Sequence, residues 1–368
     1  MHSQPMPFTA EDHAFMARAL ALTERGRDTA TPNPNVGCVI AKGGRIIGEG
    51  WHERAGEAHA EVRALASCSE PAEGATVYVT LEPCSHAGRT GPCTERLIAA
   101  RVGRVVAAVQ DPYREVNGRG LGQLREAGIR VDVGLMQEQA EEAHRGFLHR
   151  MRHGRPWMRI KAAMSLDGRI ALANGQSRWI TGEEARQDVH RLRARSCAML
   201  TGIGTIRSDD PELTVRHVPC SRQPKRIVID NYLDMPPNAK ILSGDPPLIL
   251  TANDDATRRA ALEAKGAEVV AVPRQGTKAD LAAVARILGE RGFNEVTVET
   301  GGKLMGSLLQ AGIVDELVLY VAPMILGDAA QALFTFAPLD SLDKALRPRI
   351  VDVRNLGADL RITARFDH

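Results

Sequence analysis

The first part of the chain alternates between hydrophobic patterns with the period of a helix and patterns with the period of a strand. Apolar residues recur at helical spacing in DHAFMARALALTERG, and Gly26 is expected to lie just after that helix. Two strand-like runs in VGCVIAKGGRIIGEG meet at Gly43 and Gly44, which is the signal of a β-hairpin. The chain is therefore predicted to begin with a helix followed by two antiparallel strands.

The same alternation continues to about residue 150. It predicts helices over AHAEVRALASC, TGPCTERLIAA, GLGQLREAG and EQAEEAHRGFLHRM, with Thr90 as a candidate cap of the second. Strands are predicted over ATVYVTL, RVVAAV and IRVDVGL. Helices that alternate with strands pack on a central sheet, so this part is expected to be one α/β domain.

The pattern breaks at RHGRPW and then restarts, which puts a domain boundary near residues 151–157 and predicts domains over 1–150 and 151–368. The second domain is again expected to be α/β. Its predicted strands are MRIKAAMS, CAMLTG, KRIVID, PLILT, EVVAV, EVTVET, ELVLYVAPMIL and DLRITARF. Its predicted helices are EEARQDVHRLRA, TRRAALEAKG and LAAVARILGERG. The apolar strand near residues 315–326 can either pair across subunits or belong to the core.

Composition narrows the classes of protein. The chain has 368 residues, of which 43% are hydrophobic and 25% charged, and its net charge is +2, so no strong field favours nucleic acid or a membrane surface. No apolar run is long enough to span a bilayer, and the start, MHSQPMPFTAEDHAF, lacks the pattern of a signal peptide. Six cysteines in such a chain favour a reducing compartment. We therefore expect a cytoplasmic protein that binds neither nucleic acid nor membrane.

Four residues of the first domain form a candidate metal constellation. His59 begins a predicted helix, Cys84 directly follows a predicted strand, and Cys93 lies at the head of the next helix. One imidazole and two thiolates suit a catalytic zinc, which takes three protein ligands and leaves a position for water. Glu61, two residues after His59, is expected to carry protons for that water. The pattern of H-x-E followed by a Pro-Cys pair is that of zinc deaminases.

The spacing of the cysteines differs from that of a general zinc deaminase. Eight residues separate Cys84 from Cys93, where the general signature has two. The intervening loop supplies His86 and Arg89 as candidate substrate contacts. The alternative is that His59 only caps a helix and both cysteines are core residues.

Other candidate binding residues lie before the metal constellation and in the second domain. Asn33, held between prolines before the first strand, can pair with a heterocycle, although Asn and Pro also favour turns. Glycines follow two strands, in LTGIGTIRSDDP and VETGGKLMGSLL, where backbone can approach a phosphate. Neither stretch is a complete dinucleotide-binding fingerprint. Lys161 in KAAMSLDGRIA is a candidate for polarising a substrate.

These segments together resemble the bifunctional deaminase/reductases of riboflavin biosynthesis. In the N-terminal half the resemblance is carried by TPNPNVGCVI, HAEV, TLEPCSHAGRTGPC and QDP. In the C-terminal half it is carried by KAAMSLDGRIA, SRWITG, TGIGT, DDPELTVR and VETGG. The long loop between the cysteines belongs to that family's pattern. The resemblance implies a cytidine-deaminase-like three-layer α/β domain followed by a dihydrofolate-reductase-like α/β domain.

The resemblance also implies two reactions on one phosphorylated pyrimidine. The first domain would use one zinc ion per chain, held by His59, Cys84 and Cys93, to deaminate 2,5-diamino-6-ribosylamino-4(3H)-pyrimidinone 5′-phosphate, with Glu61 as the catalytic residue. The second would use NADPH to reduce the ribosyl group to ribityl. By the motif match, the residues at NADPH would be Ala163, Trp179, Thr205, Asp209, Gly301 and Gly302. Those facing the substrate would be Ser177, Arg193, Leu213, Arg216 and Glu299, beside the candidates Asn33, His86 and Lys161.

Two other functions remain open at this point. One is a deaminase of nucleosides or tRNA whose second domain only binds a ligand, although the near-neutral charge disfavours a polynucleotide substrate. The other is a zinc-stabilised protein without activity, against which Glu61 counts, because a structural zinc needs no proton carrier. We also expect a homo-oligomer, whose size the sequence does not give.

Overall fold

The computed structural model describes residues 8–85, 91–113 and 116–367. Contacts divide the chain into two compact units, Met1–Gly154 and Arg155–His368. The division falls inside the RHGRPW segment, where the hydrophobic pattern breaks. No helix in the described part of the chain is both long and apolar enough to cross a membrane.

The first unit is a five-stranded sheet between two layers of helices. Its helices are α1 (Ala10–Gly26), α2 (Ala60–Ala66), α3 (Cys93–Ala99), α4 (Arg119–Glu126), α5 (Gln137–Ala143) and α6 (Arg145–His153). Its strands are β1 (Gly37–Lys42), β2 (Arg45–Trp51), β3 (Thr76–Val79), β4 (Arg104–Ala107) and β5 (Arg130–Val133). The strand order is β2-β1-β3-β4-β5, with the β1–β2 and β1–β3 pairs antiparallel and the other two parallel.

Alternating side chains of the strands explain the three layers. Val77 and Val79 of β3 face a core that includes Leu97 of α3, whereas Tyr78 faces a second core that includes Leu22 of α1. Successive residues of a strand point to opposite faces of the sheet, so a continuous apolar run needs helices on both sides. The predicted three-layer arrangement is confirmed, and α2, α3 and α4 share the first of these cores.

The second unit is built on a nine-stranded mixed sheet. Its helices are α7 (Glu183–Arg195), α8 (Ile203–Asp209), α9 (Ala256–Glu263), α10 (Leu281–Glu290) and α11 (Gly302–Gln310). The strands of the large sheet are β6 (Trp157–Ser165), β8 (Ala198–Gly202), β9 (Lys225–Ile229), β10 (Leu248–Thr251), β11 (Glu268–Ala271), β14 (Glu295–Val298), β15 (Glu316–Ala322), β17 (Arg349–Leu356) and β18 (Asp359–Arg365). The short strands β7 (Arg169–Ala171), β12 (Arg274–Gln275), β13 (Lys278–Ala279) and β16 (Gln331–Ala332) form two small ladders.

The order of the large sheet is β11-β10-β9-β8-β14-β6-β15-β18-β17. The strands from β11 to β15 are parallel, and β18 and β17 add an antiparallel hairpin at one edge. Because β15 pairs with β6 on one side and β18 on the other, it is an internal strand of this sheet. Of the two alternatives left open for this strand, the core one is therefore correct.

Several details of the secondary structure differ from the sequence prediction, and helices α8 and α11 and the short strands β7, β12, β13 and β16 were not among the predicted elements. The stretch EQAEEAHRGFLHRM forms two helices instead of one, because the chain turns at His144. The ring of His144 is buried, and its Nε2 atom lies 3.0 Å from Thr80 Oγ1. Strand β17 was not predicted. Gly26 is the last residue of α1 instead of the residue after it, and a Cβ there would lie 2.0 Å from the carbonyl oxygen of His52.

Candidate functional sites

The metal constellation of the first unit is assembled by two helix starts and the exit of a strand. His59 is the residue before α2, Cys93 is the first residue of α3, and Cys84 follows β3. His59 Nδ1 lies 3.4 Å from Cys84 Sγ and 3.3 Å from Cys93 Sγ. Within the described residues this is the one group of three or more His, Cys, Asp or Glu residues whose ligand atoms lie within 4.8 Å of one another.

The donor set fits zinc. Two ligands bound tetrahedrally to one zinc ion, one through sulfur and one through nitrogen, lie roughly 3.6 Å apart, close to both distances here. The side chain of His59 makes no capping hydrogen bond to α2, so the alternative in which it only caps that helix is not supported. The backbone N–H of Cys93 donates to Cys84 Sγ at 3.4 Å, which favours a thiolate at Cys84.

The surroundings shift the acidity of these groups. Hydrogen bonds from Cys93 and His59 lower the pKa of Cys84 to about 4 against the opposing effect of burial. The hydrogen bond to Cys84 raises the pKa of Cys93, and burial adds to that rise. Burial, with the negative charge of Cys84, raises the pKa of the Glu61 carboxyl to about 7. Glu61 is 3% exposed on the first turn of α2.

Asn33 is connected to the metal constellation by His52, a residue that the sequence analysis did not single out. His52 is buried, its Nδ1 lies 3.3 Å from the carbonyl oxygen of Ala58, and its ring meets that of His59 edge-on at 5.2 Å. A carbonyl oxygen only accepts, so Nδ1 carries the proton and Nε2 accepts from Asn33 Nδ2 at 3.1 Å. This fixes the amide of Asn33. His52 and Asn33 thus form a connected pair beside the candidate zinc ligand His59.

A second residue that sequence reasoning missed is Glu82, in the LEPC stretch. Its buried carboxylate accepts four backbone N–H groups, at distances of 2.9 to 3.3 Å; they belong to Asp111, Gly118, Gly120 and Leu121. The last three lie around the start of α4. Glu82 therefore ties the segment that carries Cys84 to a neighbouring helix. Its only sequence signal was an acidic residue in an otherwise apolar strand exit.

Part of the predicted first site cannot be located. His86, together with Arg89 and the candidate cap Thr90, lies outside the described residues. Helix α3 begins at Cys93 with Pro92 as the residue before it.

In the second unit a pocket of about 590 Å³ opens where parallel strands end. It is lined by side chains and backbone from β6, the segment after β7, α7, α8, the loop after α8 and the exit of β14. Ligands commonly bind at the carboxyl ends of parallel strands. The pocket brings together all but one of the residues predicted for this domain: Lys161, Ala163, Ser177, Trp179, Arg193, Thr205, Asp209, Leu213, Arg216, Glu299 and Gly301.

The exception is Gly302, which does not line the pocket. A Cβ there would lie 2.6 Å from the carbonyl oxygen of Ala332, so this glycine lets α11 pack closely against the chain around β16. At Gly301 a Cβ would meet nothing within 4 Å. The two adjacent glycines therefore have different structural roles, and only Gly301 leaves backbone open to a ligand.

Charged residues form a compact network on one wall of the pocket. Arg193 holds Glu299 with two hydrogen bonds of 2.7 and 2.9 Å, and Lys161 Nζ lies 3.5 Å from the same carboxylate. Burial opposes ionisation of Glu299, but the charges of Arg193 and Lys161 outweigh it and hold its pKa at about 2. Burial lowers the pKa of Lys161, and Glu299 offsets part of that effect.

The pocket is also lined by an exposed aromatic ring. Trp179 is 69% exposed, and the guanidinium of Arg186 lies 4.7 Å from the centre of its ring. The hydroxyl of Thr205, in the first turn of α8, lies 3.2 Å from the hydroxyl of Thr300 at the exit of β14. This contact links the two strand exits that carry glycines. A flat ring, an open backbone and a charged wall suit a ligand with both planar and anionic parts.

Both parts of the chain match known family models. The model of the cytidine and deoxycytidylate deaminase zinc-binding region matches residues 9–109. The model of the RibD C-terminal domain matches residues 156–362. The second match counts against a deaminase whose second domain only binds a ligand.

Curated relatives are similar along nearly their whole length. The riboflavin biosynthesis protein RibD of Escherichia coli strain K12 is 46% identical over 362 residues, which cover 95% of this chain and 98% of that protein. RibD of Haemophilus influenzae is 43% identical and covers 97% of this chain and 98% of its own length.

Solved structures give the same result. Acinetobacter baumannii RibD is 41% identical with a TM-score of 0.89, over 96% of this chain and 98% of that chain. A diaminohydroxyphosphoribosylaminopyrimidine deaminase/5-amino-6-(5-phosphoribosylamino)uracil reductase of Thermotoga maritima is 30% identical with a TM-score of 0.85, again over 96% and 98%.

Proposed function

The chain belongs to the RibD family of riboflavin biosynthesis proteins, and we propose that it carries out the family's two reactions at the two sites described above. It is a bifunctional enzyme, a deaminase and a reductase, with zinc and NADPH as cofactors. The observation that carries the residue assignment is the meeting of His59, Cys84 and Cys93 beside buried Glu61 in one unit, with a charged pocket in the other.

In the first unit, the substrate would be 2,5-diamino-6-ribosylamino-4(3H)-pyrimidinone 5′-phosphate. His59, Cys84 and Cys93 would hold the zinc ion, which supplies a bound water of lowered pKa when present. Glu61 takes a proton from the attacking water and returns one to the leaving amine. The oxygen of the water thereby replaces the amino group on the ring carbon, and the amino group leaves as ammonia. A carboxyl whose pKa is raised to about 7 can both accept and release a proton near neutral pH.

Asn33 would orient the pyrimidine in this site. His52 occupies one amide hydrogen of Asn33, so the carboxamide is held in one orientation. Its oxygen can then accept from a ring N–H or an amino group, and the remaining amide hydrogen can donate to a ring carbonyl. Hydrogen bonding between Asn33 and the pyrimidine depends on how the carboxamide is oriented. His52, which holds that carboxamide, would therefore help to orient the substrate without touching it.

In the second unit, NADPH supplies the hydride that converts the ribosyl group to ribityl. Lys161 would polarise the sugar carbon that receives the hydride by donating a hydrogen bond to the substrate. Glu299 keeps Lys161 charged and oriented, and Arg193 holds Glu299 in turn. Arg216, half-exposed at the rim, would pair with the substrate phosphate.

The cofactor would lie along the rest of the pocket. The side chain of Trp179 offers a face for stacking, and Ala163, Thr205 and Asp209 line the adjoining wall. At Gly301, open backbone before α11 would receive the cofactor's phosphates. Gly302 would contribute only through packing.

We also propose that the chain forms a homo-oligomer, which is supported by exposed apolar residues on the edge strand β17: Ile350 and Val353 are 61% and 54% exposed. Light scattering on the purified chain measures this directly. A mass equal to one chain at micromolar concentration would contradict it.

Two matched variants test the site assignment. We expect Glu61→Gln to keep its zinc and to lose deamination by roughly 10²- to 10⁴-fold, while reduction of the deaminated intermediate stays normal. Glu95→Gln, an exposed glutamate in the first turn of α3, should leave both activities unchanged. Zinc content by mass spectrometry and the two separate assays check this. Normal deamination by Glu61→Gln would remove Glu61 from the catalytic role.

A further inference from the structure

The loop that carries Leu213 and Arg216 holds backbone conformations that need external support. Asp210, Leu213 and His217 have φ values of 42°, 54° and 64°, in the left-handed region that side chains disfavour. Residues in such conformations persist only where their surroundings hold them. The loop lines the reductase pocket through Leu213, Arg216 and His217.

Three side chains outside the loop hold its backbone. Arg193 Nη1 donates to the carbonyl oxygen of Thr214 at 3.0 Å. Gln223 accepts from the N–H of Val215 at 2.7 Å and donates to its carbonyl at 3.2 Å. The N–H of Arg216 donates to His190 Nδ1 at 3.0 Å. Arg193 and His190 lie one turn apart on α7, so one helix face carries two of the three supports.

We infer that His190 is a positioning residue of the reductase site, which sets the place of Arg216 by accepting its backbone N–H. This inference rests on the proposed assignment of Arg216 to the reductase substrate. His190 is 7% exposed and lines the pocket, yet it belongs to none of the substrate or cofactor contacts assigned above.

The ionisation state of His190 agrees with an acceptor role. Burial, together with the positive charges of Arg193 and Arg216, lowers the pKa of His190 to about 4. The remaining charged or titratable groups that act on it are His217 on the loop and Glu299 at the exit of β14. The ring is therefore neutral at neutral pH, and Nδ1, which accepts, leaves the proton on Nε2.

The tautomer suggests a matched pair of variants. The side-chain oxygen of Asn can take the place of Nδ1, whereas the oxygen of Gln corresponds to Nε2 and cannot accept the same N–H without displacing the loop. Both residues are polar and neutral, so a difference between them reports the acceptor and not polarity or charge. Arg191→Ala, exposed on the same helix and outside the pocket, serves as the control.

The experiment measures steady-state reduction of 5-amino-6-(5-phosphoribosylamino)uracil by the full chain with NADPH. We expect His190→Gln to raise the KM for this substrate roughly tenfold, the effect of leaving one partly buried N–H without an acceptor, with the KM for NADPH nearly unchanged. We expect His190→Asn and Arg191→Ala to stay close to the parent enzyme. The kcat for reduction and the KM for NADPH of each preparation report whether the second unit is folded.

The outcomes separate this inference from the pocket assignment. Arg216→Ala is measured in parallel and should raise the same KM. If Arg216→Ala raises it and His190→Gln does not, or if His190→Asn is as defective as His190→Gln, the inference about His190 is wrong. If Arg216→Ala leaves the KM unchanged, the assignment of Arg216 to the substrate is wrong, whatever His190 does.

Discussion

Two glutamates at the two sites, Glu61 and the partly buried Glu299, have pKa values moved in opposite directions. Burial and the negative charge of Cys84 raise the pKa of Glu61 to about 7, whereas Arg193 and Lys161 hold that of Glu299 at about 2. A carboxyl of the first kind exchanges protons near neutral pH, and one of the second kind stays charged and holds cations in place. Residue type alone would not have separated these roles.

The Lys161–Glu299 contact predicts a pH dependence of the reductase. Burial lowers the pKa of Lys161, and the negative charge of Glu299 offsets part of this shift. The ammonium of Lys161 is present below that pKa and is lost as the pH rises through it. Glu299→Gln removes the restoring charge while Arg193 remains. We therefore expect the alkaline limb of the reductase rate to move to lower pH in this variant.

Initial rates of NADPH oxidation between neutral pH and pH 10 measure that limb. Lys161→Met should lack it altogether, since no ammonium remains to titrate. An alkaline limb at the same pH in the parent and in Glu299→Gln would show that Lys161 does not control the rate.

The sequence could predict residues whose chemistry is visible in their spacing. His59, Glu61, Cys84 and Cys93 form such a pattern, and within the described residues the three ligand candidates meet as expected. His52 could not be predicted, because its role depends on hydrogen bonds to Asn33 and Ala58 that exist only in the folded chain.

At the scale of elements, the carboxylate of Glu82 joins the exit of β3 to the start of α4. Removing it leaves four N–H groups without their acceptor, three of them in buried hydrogen bonds. We expect Glu82→Ala to lower the free energy of unfolding of the first unit by about 3 kcal/mol. Because Cys84 lies two residues further along the chain, the variant should also release zinc faster to a chelator.

Zinc release to a colorimetric chelator and thermal inactivation of the deaminase check this prediction. Glu73→Ala is the control, since Glu73 is exposed and forms a surface ion pair with Arg101. Parent-like zinc retention and thermal stability in Glu82→Ala would mean that α4 is held by its apolar face alone.

Element prediction failed where tertiary contacts override local pattern. The helical period of EQAEEAHRGFLHRM continues through His144, but the ring turns inward to Thr80 and divides the stretch into α5 and α6. Strand β17 has five of its eight residues exposed and only weak alternation, because it is the edge strand of the sheet and pairs with β18. In contrast, strands β3, β8 and β14 are buried along nearly their whole length and were predicted.

At the scale of the whole molecule, the two sites draw on separate units. The candidate zinc ligands lie in the unit before Gly154, and every residue that lines the reductase pocket lies in the unit after it. We therefore expect removal of zinc by a strong chelator to abolish deamination while reduction of the deaminated intermediate continues at its normal rate. Deamination should return when zinc is added back.

The corresponding assay follows NADPH absorbance with the deaminated intermediate before and after chelation. A chelator that stops both reactions would mean that the second site depends on the metal of the first. The predicted cytoplasmic location is not tested by these experiments and stays a prediction.

The central claim is that one chain performs both reactions in sequence on one pyrimidine. The most direct measurement supplies the purified chain with 2,5-diamino-6-ribosylamino-4(3H)-pyrimidinone 5′-phosphate and NADPH, and counts ammonia released and NADPH oxidised. We expect one of each per substrate molecule, with ammonia release persisting when NADPH is omitted. Ammonia release without any NADPH oxidation, under conditions in which the pocket of the second unit is intact, would contradict it.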